Sequence, residues 1–382
     1  MVAELVLTAL LASSFSQVAV LNTIDYSEDS VIVFSDDSLF IVQTPTGTYL
    51  MFCKTSGNTL PLRYDTDYFP SSFIQNKYYA EGYSTTYTSD PMIVGMSSIL
   101  DPYGNCPVYD TALSVDLSPF PSANAILNCG IIIQKMSGNL NNIYCYKANN
   151  IAYSNINGTA SFSKSFISVA AVNNGMFVFD LTDDVVNCLN YNQSSLNIIL
   201  EGHENYKLCN LYSTSNSTYS PYLYIEYSPY GNAPYFSSLT GLTASNCLGF
   251  VRKLNYVIDI DDQLSNALNN TIVDTDVMES TVYGVVANNF GTMFSRQLDS
   301  FDSYVFPNER RIACRLKLNT NTHRYDGDYH FICQCSDGSW AAKEGFGLIA
   351  NYSSVDAPEA NTAIWANGYY NSPILYFAYS YN

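Results

Sequence analysis

The chain has 382 residues, of which 47% are hydrophobic and only 13% are charged. This apolar fraction excludes intrinsic disorder, and the length predicts two domains. The formal net charge is −18 with only 16 Lys and Arg residues, which excludes nucleic acid as a partner because its phosphates need basic neutralisation. The same charge disfavours anionic membrane surfaces. We therefore expect a globular protein that binds neither.

The N-terminus carries a short apolar run at residues 5–12, followed by small polar residues at 13–16. This pattern predicts a signal peptide over residues 1–19 and a secreted protein, extracellular or at the cell surface. Glu4 and the lack of Lys or Arg before the run depart from the usual basic start. No later stretch reaches the roughly 20 apolar residues that a membrane-spanning helix requires, so no transmembrane segment is predicted.

Between residues 20 and 232, short strand-like runs alternate with clusters of Gly, Asn, Pro and Ser. The clearest runs are residues 30–34, 39–42, 131–133, 176–179 and 222–227. Many short strands with this spacing predict an antiparallel β-sandwich domain over residues 20–232. The exception is residues 182–189, where a short helix is predicted after Asp180. Two prolines and a glycine within residues 228–234 mark the domain boundary.

Two blocks of this region resemble a DNRLRE domain, a β-sandwich of secreted and surface proteins. They lie within residues 65–228 and include SFIQ at 72–75, YSTTY at 83–87 and YLYIEY at 222–227. The resemblance implies a carbohydrate-binding or wall-associated module without catalytic residues. Tyrosine rings can stack on sugars, although filling the sandwich is their more common role. His203 stands alone and is predicted to be a surface loop residue.

Beyond the boundary the pattern changes. Residues 247–269 and 274–294 have apolar side chains three and four residues apart, which predicts two amphipathic helices, the second capped at Asp274. Strand-like runs follow at 311–318, at 329–335, from 339, and at 374–379. Helices followed by antiparallel strands predict an α+β domain over residues 237–382.

Cys247 and His330 are the candidate catalytic residues of this domain. A cysteine at the start of a helix has its thiol pKa lowered by backbone N–H groups and the helix dipole, and the same N–H groups can form part of an oxyanion hole. A histidine on a strand is held at a fixed distance, as proton transfer requires. Taken alone, the two residues favour structural roles instead, Cys247 as a buried helix cysteine and His330 as a hydrogen-bonded strand residue.

Residues 246–382 resemble papain-like cysteine peptidases and amidases of the NlpC type. The matching segments are NCLGF at 246–250, RIA at 311–313, DYHF at 328–331, DGSW at 337–340 and KEG at 343–345. The resemblance implies a papain-like fold with Cys247 as nucleophile and His330 as its general base. Relatives carry a second histidine where this chain has Ala342, so the residue that would orient the imidazole is missing. Lys343 or a backbone carbonyl is the alternative for that role.

No cofactor and no metal site is predicted. The ten cysteines contain no CxxC pair, and the acidic groups at 259–262 and 274–276 lack the Gly and Glu spacing of a calcium loop. Nucleotide-binding, GxSxG and HExxH motifs are also absent from the sequence. In a secreted chain, five cysteines of the first domain are candidates for disulfides, with buried free thiols as the alternative. These five are Cys106, Cys129, Cys145, Cys188 and Cys209.

Two functional hypotheses follow from the sequence. The first is a secreted cysteine peptidase or amidase that attacks an amide bond of a peptide or cell-wall peptide and is targeted by its β-sandwich module. The alternative is a non-catalytic surface adhesin or carbohydrate-binding protein with a degenerate papain-like domain. Geometry distinguishes them. A Cys247 Sγ within about 4 Å of a His330 nitrogen in an open groove favours the enzyme, whereas burial of either residue in the core favours the alternative.

Overall fold

The computed structural model divides into two compact units, with the division between Tyr227 and Ser228. It describes residues 31–35, 39–44, 46–54, 74–88, 91–117, 120, 122–216, 219–268, 278, 280–285, 294–345 and 347–380. The predicted signal peptide at 1–19 and the predicted helix cap at Asp274 lie outside these residues.

The first unit consists mainly of short antiparallel strands. Their bounds are β1 (Val31–Ser35), β2 (Leu39–Gln43), β3 (Tyr49–Lys54), β4 (Ile74–Ala80), β5 (Thr86–Tyr87), β6 (Met92–Met96), β7 (Val108–Asp116), β8 (Ile126–Gly138), β9 (Asn142–Asn149), β10 (Ser163–Ala171), β11 (Met176–Asp180), β12 (Ser195–Glu201), β13 (Leu208–Leu211) and β14 (Tyr222–Tyr227). Helix α1 (Thr182–Asn190) follows β11, which confirms the helix predicted there. Short 3₁₀ turns occur at Ala123–Ala125 and Tyr153–Asn155.

The long strand β8 connects two groups of strands. Its first part pairs with β11 and β14, and its last part, from Lys135 onward, pairs with β13. From β14 the order continues through β3 and β2 to β1. From β13 it continues through β6, β7, β12 and β9 to β10, while β4 pairs with β7 and β5. Residues distant in sequence therefore become neighbours across these strands.

Five cysteines of the first unit, Cys106, Cys129, Cys145, Cys188 and Cys209, are free thiols, so the disulfides considered for them from the sequence are not formed. Cys129, Cys145, Cys188 and Cys209 are buried on β8, β9, α1 and β13, whereas Cys106 is half-buried. A buried thiol packs as a small apolar side chain. These residues contribute to the core of the unit, as the alternative interpretation proposed.

The second unit contains a single antiparallel sheet among its described residues. The strand order is β15 (Phe294–Leu298), β20 (Leu375–Ser380), β16 (Glu309–Leu318), β17 (Tyr325–Gln334), β18 (Trp340–Lys343) and β19 (Ile349–Tyr352). In the central pair, Ile312 lies opposite Cys333 and Arg315 lies opposite His330. Strands thus occupy the segments at 311–318, 329–335, 339 onward and 374–379, which confirms the prediction for them.

The prediction of one helix over residues 247–269 is wrong in length. The chain forms α2 (Phe236–Leu239), α3 (Cys247–Val251) and α4 (Asp261–Ala267). Helix α3 ends because Lys253 takes a left-handed φ of 54° and the Leu254 N–H donates to the Gly249 oxygen (2.9 Å). A Cβ at Gly249 would collide with the backbone oxygen of Tyr256, so glycine permits this close return. Residues 278 and 280–285 are also helical.

The central part of the sheet of the second unit is buried on both faces. One face, here called the α3 face, packs Cys314, Phe331 and Cys333 against α3 and α4. The other, here called the Trp365 face, packs Ile332 and Trp340 against α5 (Ala357–Ala360) and the 3₁₀ segment Thr362–Gly368. Successive residues of a strand point to opposite faces. Neighbours along β17 therefore belong to different hydrophobic cores.

The architecture as described is mostly antiparallel β-structure, and this part of the predicted fold class is confirmed. Within the described ranges, no helix combines the length and the apolar character needed to cross a membrane.

Candidate functional site

Cys247 is the first residue of α3, and Asn246 caps this helix. The side-chain oxygen of Asn246 accepts hydrogen bonds from the backbone N–H groups of Gly249 (3.0 Å) and Ile258 (3.1 Å). The side-chain amide of Asn246 donates to the Ile258 oxygen (2.6 Å). An Asn at this position satisfies N–H groups that the first helical turn leaves unpaired. The predicted helix start at Cys247 is confirmed.

The Cys247 thiol points into the core. Its side chain is buried among apolar residues of the α3 face, and Sγ donates to the backbone oxygen of Tyr329 at 3.8 Å. Burial raises the pKa of the thiol to about 12, although a hydrogen bond from the Phe331 backbone opposes this rise. Because the thiolate is the nucleophilic form, this environment suppresses the reactivity of Cys247 at neutral pH.

His330 is also buried, with 1% of its surface exposed. Its ring stacks on Tyr370 with centroids 5.1 Å apart and meets the edge of Trp365 at 6.0 Å. Nε2 has no hydrogen-bond partner among the described residues. Burial lowers the pKa of the imidazole to about 4, because the charged form loses its hydration. His330 is therefore neutral at pH 7, but no described residue lies within hydrogen-bonding distance of Nε2 to give it a proton.

Strand β17 separates the two candidate residues. Tyr329 and Phe331 point to the α3 face, where Cys247 lies, whereas His330 between them points to Trp365. On opposite faces of one sheet, the imidazole cannot take the proton of the thiol. The structure does not bring Cys247 and His330 together, so the predicted catalytic pair receives no support from this geometry.

Neither Ala342 nor Lys343 supplies the side chain that would orient the His330 imidazole. Ala342 pairs with Ile332 and packs on the Trp365 face, where its methyl group offers no hydrogen bond. The Lys343 ammonium donates to the Gly347 oxygen at 2.9 Å, and alternation places this side chain on the other face of the strand. Neither residue is positioned to orient the His330 ring.

The acidic residues near α4 accept hydrogen bonds from the backbone and from tyrosine hydroxyls. Oδ1 of Asp259 accepts a hydrogen bond from the Asp261 N–H (2.9 Å) and one from the Tyr329 hydroxyl (3.3 Å). Among the residues described, no group of three or more His, Cys, Asp or Glu side chains is arranged to hold a metal ion.

An open groove in the first unit was not predicted from the sequence. It has a volume of about 550 Å³ and lies where β8, β10, β11 and the start of α1 meet. Four of its lining residues carry carboxylates, and none is basic. The lining consists of Leu127, Asn128, Phe166, Ile167, Asp180, Leu181, Thr182, Asp183, Asp184 and Glu226. The Asp-rich turn at 180–184 is the one local sequence signal for this groove.

The polar groups of the groove are held in place by local contacts. Oδ1 of Asp180 accepts hydrogen bonds from the Thr182 N–H (2.9 Å) and hydroxyl (2.7 Å). Asp184 lies 3.8 Å from Lys147 Nζ; burial raises the pKa of the Asp184 carboxyl, and the lysine opposes that rise. Phe166, in contrast, leaves 59% of its surface exposed at the groove. The groove therefore combines fixed hydrogen-bond acceptors with an accessible aromatic ring.

His203 is a surface residue, as predicted, with 45% of its side chain exposed. Its ring stacks on Tyr144 with centroids 4.2 Å apart and an interplanar angle of 10°. Nε2 lies 3.1 Å from Oε2 of Glu201. The sequence contained no sign of this contact, because the two aromatic residues are 59 positions apart and meet through strand pairing.

Comparison of the chain with protein-family models found no match, and neither did a search of the curated proteins. Both resemblances noted in the sequence therefore remain predictions, and a functional assignment has to start from the geometry of the groove and of the buried pair.

Proposed function

We propose that this protein is a non-catalytic carbohydrate-binding protein and that the groove of the first unit is its binding site. The observation that carries this proposal is the exposed Phe166 ring beside the carboxylates and the Asn128 amide of an open groove. Sugar-binding sites need an apolar surface for the C–H face of the ring and polar groups for its hydroxyls. The groove supplies both.

The carboxylates determine which sugars fit. An ionised carboxylate only accepts hydrogen bonds, and sugar hydroxyls are donors of suitable size. Asp183 and Glu226 line the groove without a basic residue beside them in the lining, so an anionic sugar such as a uronic acid is repelled. A neutral sugar is the ligand that we expect.

The architecture of both units fits this role. We infer that the first unit is a β-sandwich binding module of the DNRLRE type and that the second has a papain-like α+β layout that lacks a working site. The apolar pattern at residues 1–19 supports secretion, and a surface location would bring the groove into contact with extracellular glycans.

A papain-like peptidase or amidase is the weaker hypothesis. It requires an ionised Cys247 within reach of His330. The buried thiol with its raised pKa and the position of the imidazole on the other face of β17 both argue against that arrangement.

Calorimetric titration of the full chain with neutral cello-, malto- and N-acetylglucosamine oligosaccharides tests the proposal. We expect one series to bind, and Phe166→Ala to weaken its binding about fivefold to tenfold, since loss of one stacking ring costs about 1–1.4 kcal/mol. Tyr191→Ala is the matched control, because Tyr191 is 78% exposed and does not line the groove. If no neutral series binds, or if Phe166→Ala binds like the unaltered protein, the groove is not a sugar site.

A further inference from the structure

A row of aromatic rings leads away from the groove across the surface of the first unit. The rings of Phe166 and Tyr146 have centroids 5.8 Å apart, those of Tyr146 and His203 are 6.0 Å apart, and His203 stacks on Tyr144 at 4.2 Å. We call these four residues the aromatic strip. Phe166 belongs both to the strip and to the lining of the groove, so the two meet at this ring.

Strand register explains the strip. Phe166 on β10 lies directly opposite Tyr146 on β9, and Tyr144, two residues away on β9, lies opposite Glu201 on β12. Residues two apart on a strand share a face, and directly paired residues on adjacent strands share it too. The strip thus runs over the neighbouring strands β10 and β9 and ends at His203, which follows β12.

Polar groups border the strip and balance each other. Lys164 forms an ion pair with Oε1 of Glu201, and Oε2 of the same carboxylate faces the His203 ring. The Tyr146 hydroxyl lies 3.5 Å from Nε2 of His203. These groups can exchange hydrogen bonds with hydroxyls, and their paired charges give the strip little attraction for a charged ligand.

The chemistry of the aromatic strip and the groove limits the kind of ligand that fits them. Nucleic acid bases would stack on such rings, but their phosphates would be repelled by the unbalanced carboxylates of the groove. A sugar chain presents a C–H face and hydroxyls at every unit without charge, which matches both the neutral strip and the groove.

We propose that the groove and the aromatic strip form one extended platform that binds several consecutive units of a linear neutral glycan. This inference rests on the proposed carbohydrate-binding function and adds the chain length of the ligand. One unit contacts Phe166 in the groove, and later units lie along Tyr146 and the exposed ring of His203.

A length series of oligosaccharides tests the platform. With di-, tetra- and hexasaccharides of the series that binds, we expect affinity to rise at least about tenfold from the disaccharide to the hexasaccharide in calorimetric titration. His203→Ala should weaken hexasaccharide binding about tenfold and leave disaccharide binding unchanged. His203→Phe keeps a ring at this position and should retain most of the affinity, and Tyr191→Ala again serves as the control.

The possible failures are distinguishable. Equal affinity for the disaccharide and the hexasaccharide would overturn the platform while the groove remains a sugar site. Loss of all binding to every neutral series would remove the proposed function itself. The length series uses the unaltered protein, so it decides the question even where a variant fails to fold.

Discussion

The two units place their aromatic and ionisable side chains differently. In the first unit, the rings of Phe166 and His203 are exposed, Phe166 beside the carboxylates of the groove and His203 beside Glu201. In the second unit, Cys247 and His330 are buried, each in its own core. The residue types typical of a catalytic site are therefore inaccessible, whereas the aromatic rings of the proposed sugar site lie at the surface.

The difference arises from what covers each sheet face. Helix α3 lies on one side of β17 and Trp365 on the other, so the residues of β17 from Tyr329 to Gln334 are buried whichever way they point. In the first unit, Phe166 on β10 is not covered in this way, and most of its surface is exposed. Accessibility, more than residue type, determines where this protein can meet a ligand.

Each unit also contains an ionisable group whose pKa is shifted by burial. The two shifts make stability change with pH in opposite directions. Asp110 on β7 of the first unit is 2% exposed, close to the burial of His330 in the second. The neutral form is favoured at both residues. For an acid this means a raised pKa, and for a base a lowered one.

The largest expected effect concerns the reactivity of Cys247. With a pKa of about 12, roughly one molecule in 100,000 carries the thiolate at pH 7. We therefore expect iodoacetamide to modify Cys247 at least about 100-fold more slowly in the folded protein than in the urea-unfolded chain. Peptide mass spectrometry against a Cys247→Ala variant measures this rate.

Cys106 provides the internal control for that measurement. It is half-buried, whereas the other eight cysteines known to be free thiols are buried, so it should react before them in the folded state. Faster labelling of Cys247 in the folded protein than in the unfolded chain would instead indicate an activated thiolate and would restore the peptidase hypothesis.

The second prediction concerns Asp110. Burial, and then the charges of Glu201 and Glu81, raise the pKa of its carboxyl from 3.8 to about 8, with Lys164 opposing the rise. Between these pH values the unfolded chain releases this proton and the folded one retains it. The contribution of Asp110 to stability is thus fully present below pH 3.8 and is lost as pH rises to 8, by up to about 1.4 kcal/mol per pH unit.

Asp110→Asn should remove this part of the pH dependence. The measurement is urea unfolding of the full chain, followed by a probe in the first unit, at several pH values from 4 to 8. Asp116→Asn on the same strand, where the carboxyl is half-buried, is the matched control. Parallel curves for Asp110→Asn and the unaltered protein would contradict a neutral buried carboxyl.

The smallest of the three effects is expected for His330. Here stability changes with pH in the opposite direction to the change expected for Asp110. Its pKa is lowered from 6.5 to about 4, so the unfolded chain binds a proton more readily than the folded one in this range. Stability is fully present above pH 6.5 and falls as pH decreases to 4, by up to about 1.4 kcal/mol per pH unit. His330→Gln should flatten this acid limb in the unfolding transition of the second unit.

His323 offers the comparison for His330, because it is exposed in the turn before β17. His323→Gln should leave the acid limb unchanged. If His330→Gln and His323→Gln shift stability equally at every pH, the imidazole of His330 is not held neutral by burial.

Much of the fold was predictable from local patterns. The alternating apolar residues of β8, β14 and β17 predicted strands, and the polar start at Asp180 predicted α1. The prediction of one long helix after Cys247 was wrong. The apolar spacing of the sequence continues past Lys253, but a left-handed backbone at this residue turns the chain. Periodicity cannot register a single residue with an unusual φ.

The candidate site was less predictable than the fold. The groove joins Leu127, Phe166, Asp180 and Glu226 from four separate segments, and no sequence pattern links them. The assignment of Cys247 and His330 as a catalytic pair stays a prediction that this geometry does not support. Their order along the chain resembles an enzyme, but chain order carries no information about which face of a sheet a side chain reaches.

The sequence by itself determined the alternation along β17, because successive side chains of a strand must point to opposite sides. It also determined the helix start at Cys247, since Asn246 can cap the N–H groups that follow. Only the tertiary structure decided that α3 would cover the side of Tyr329 and Trp365 the side of His330. The same holds for Phe166 beside Tyr146. Such neighbours depend on long-range strand pairing, and a local sequence pattern does not specify its partner.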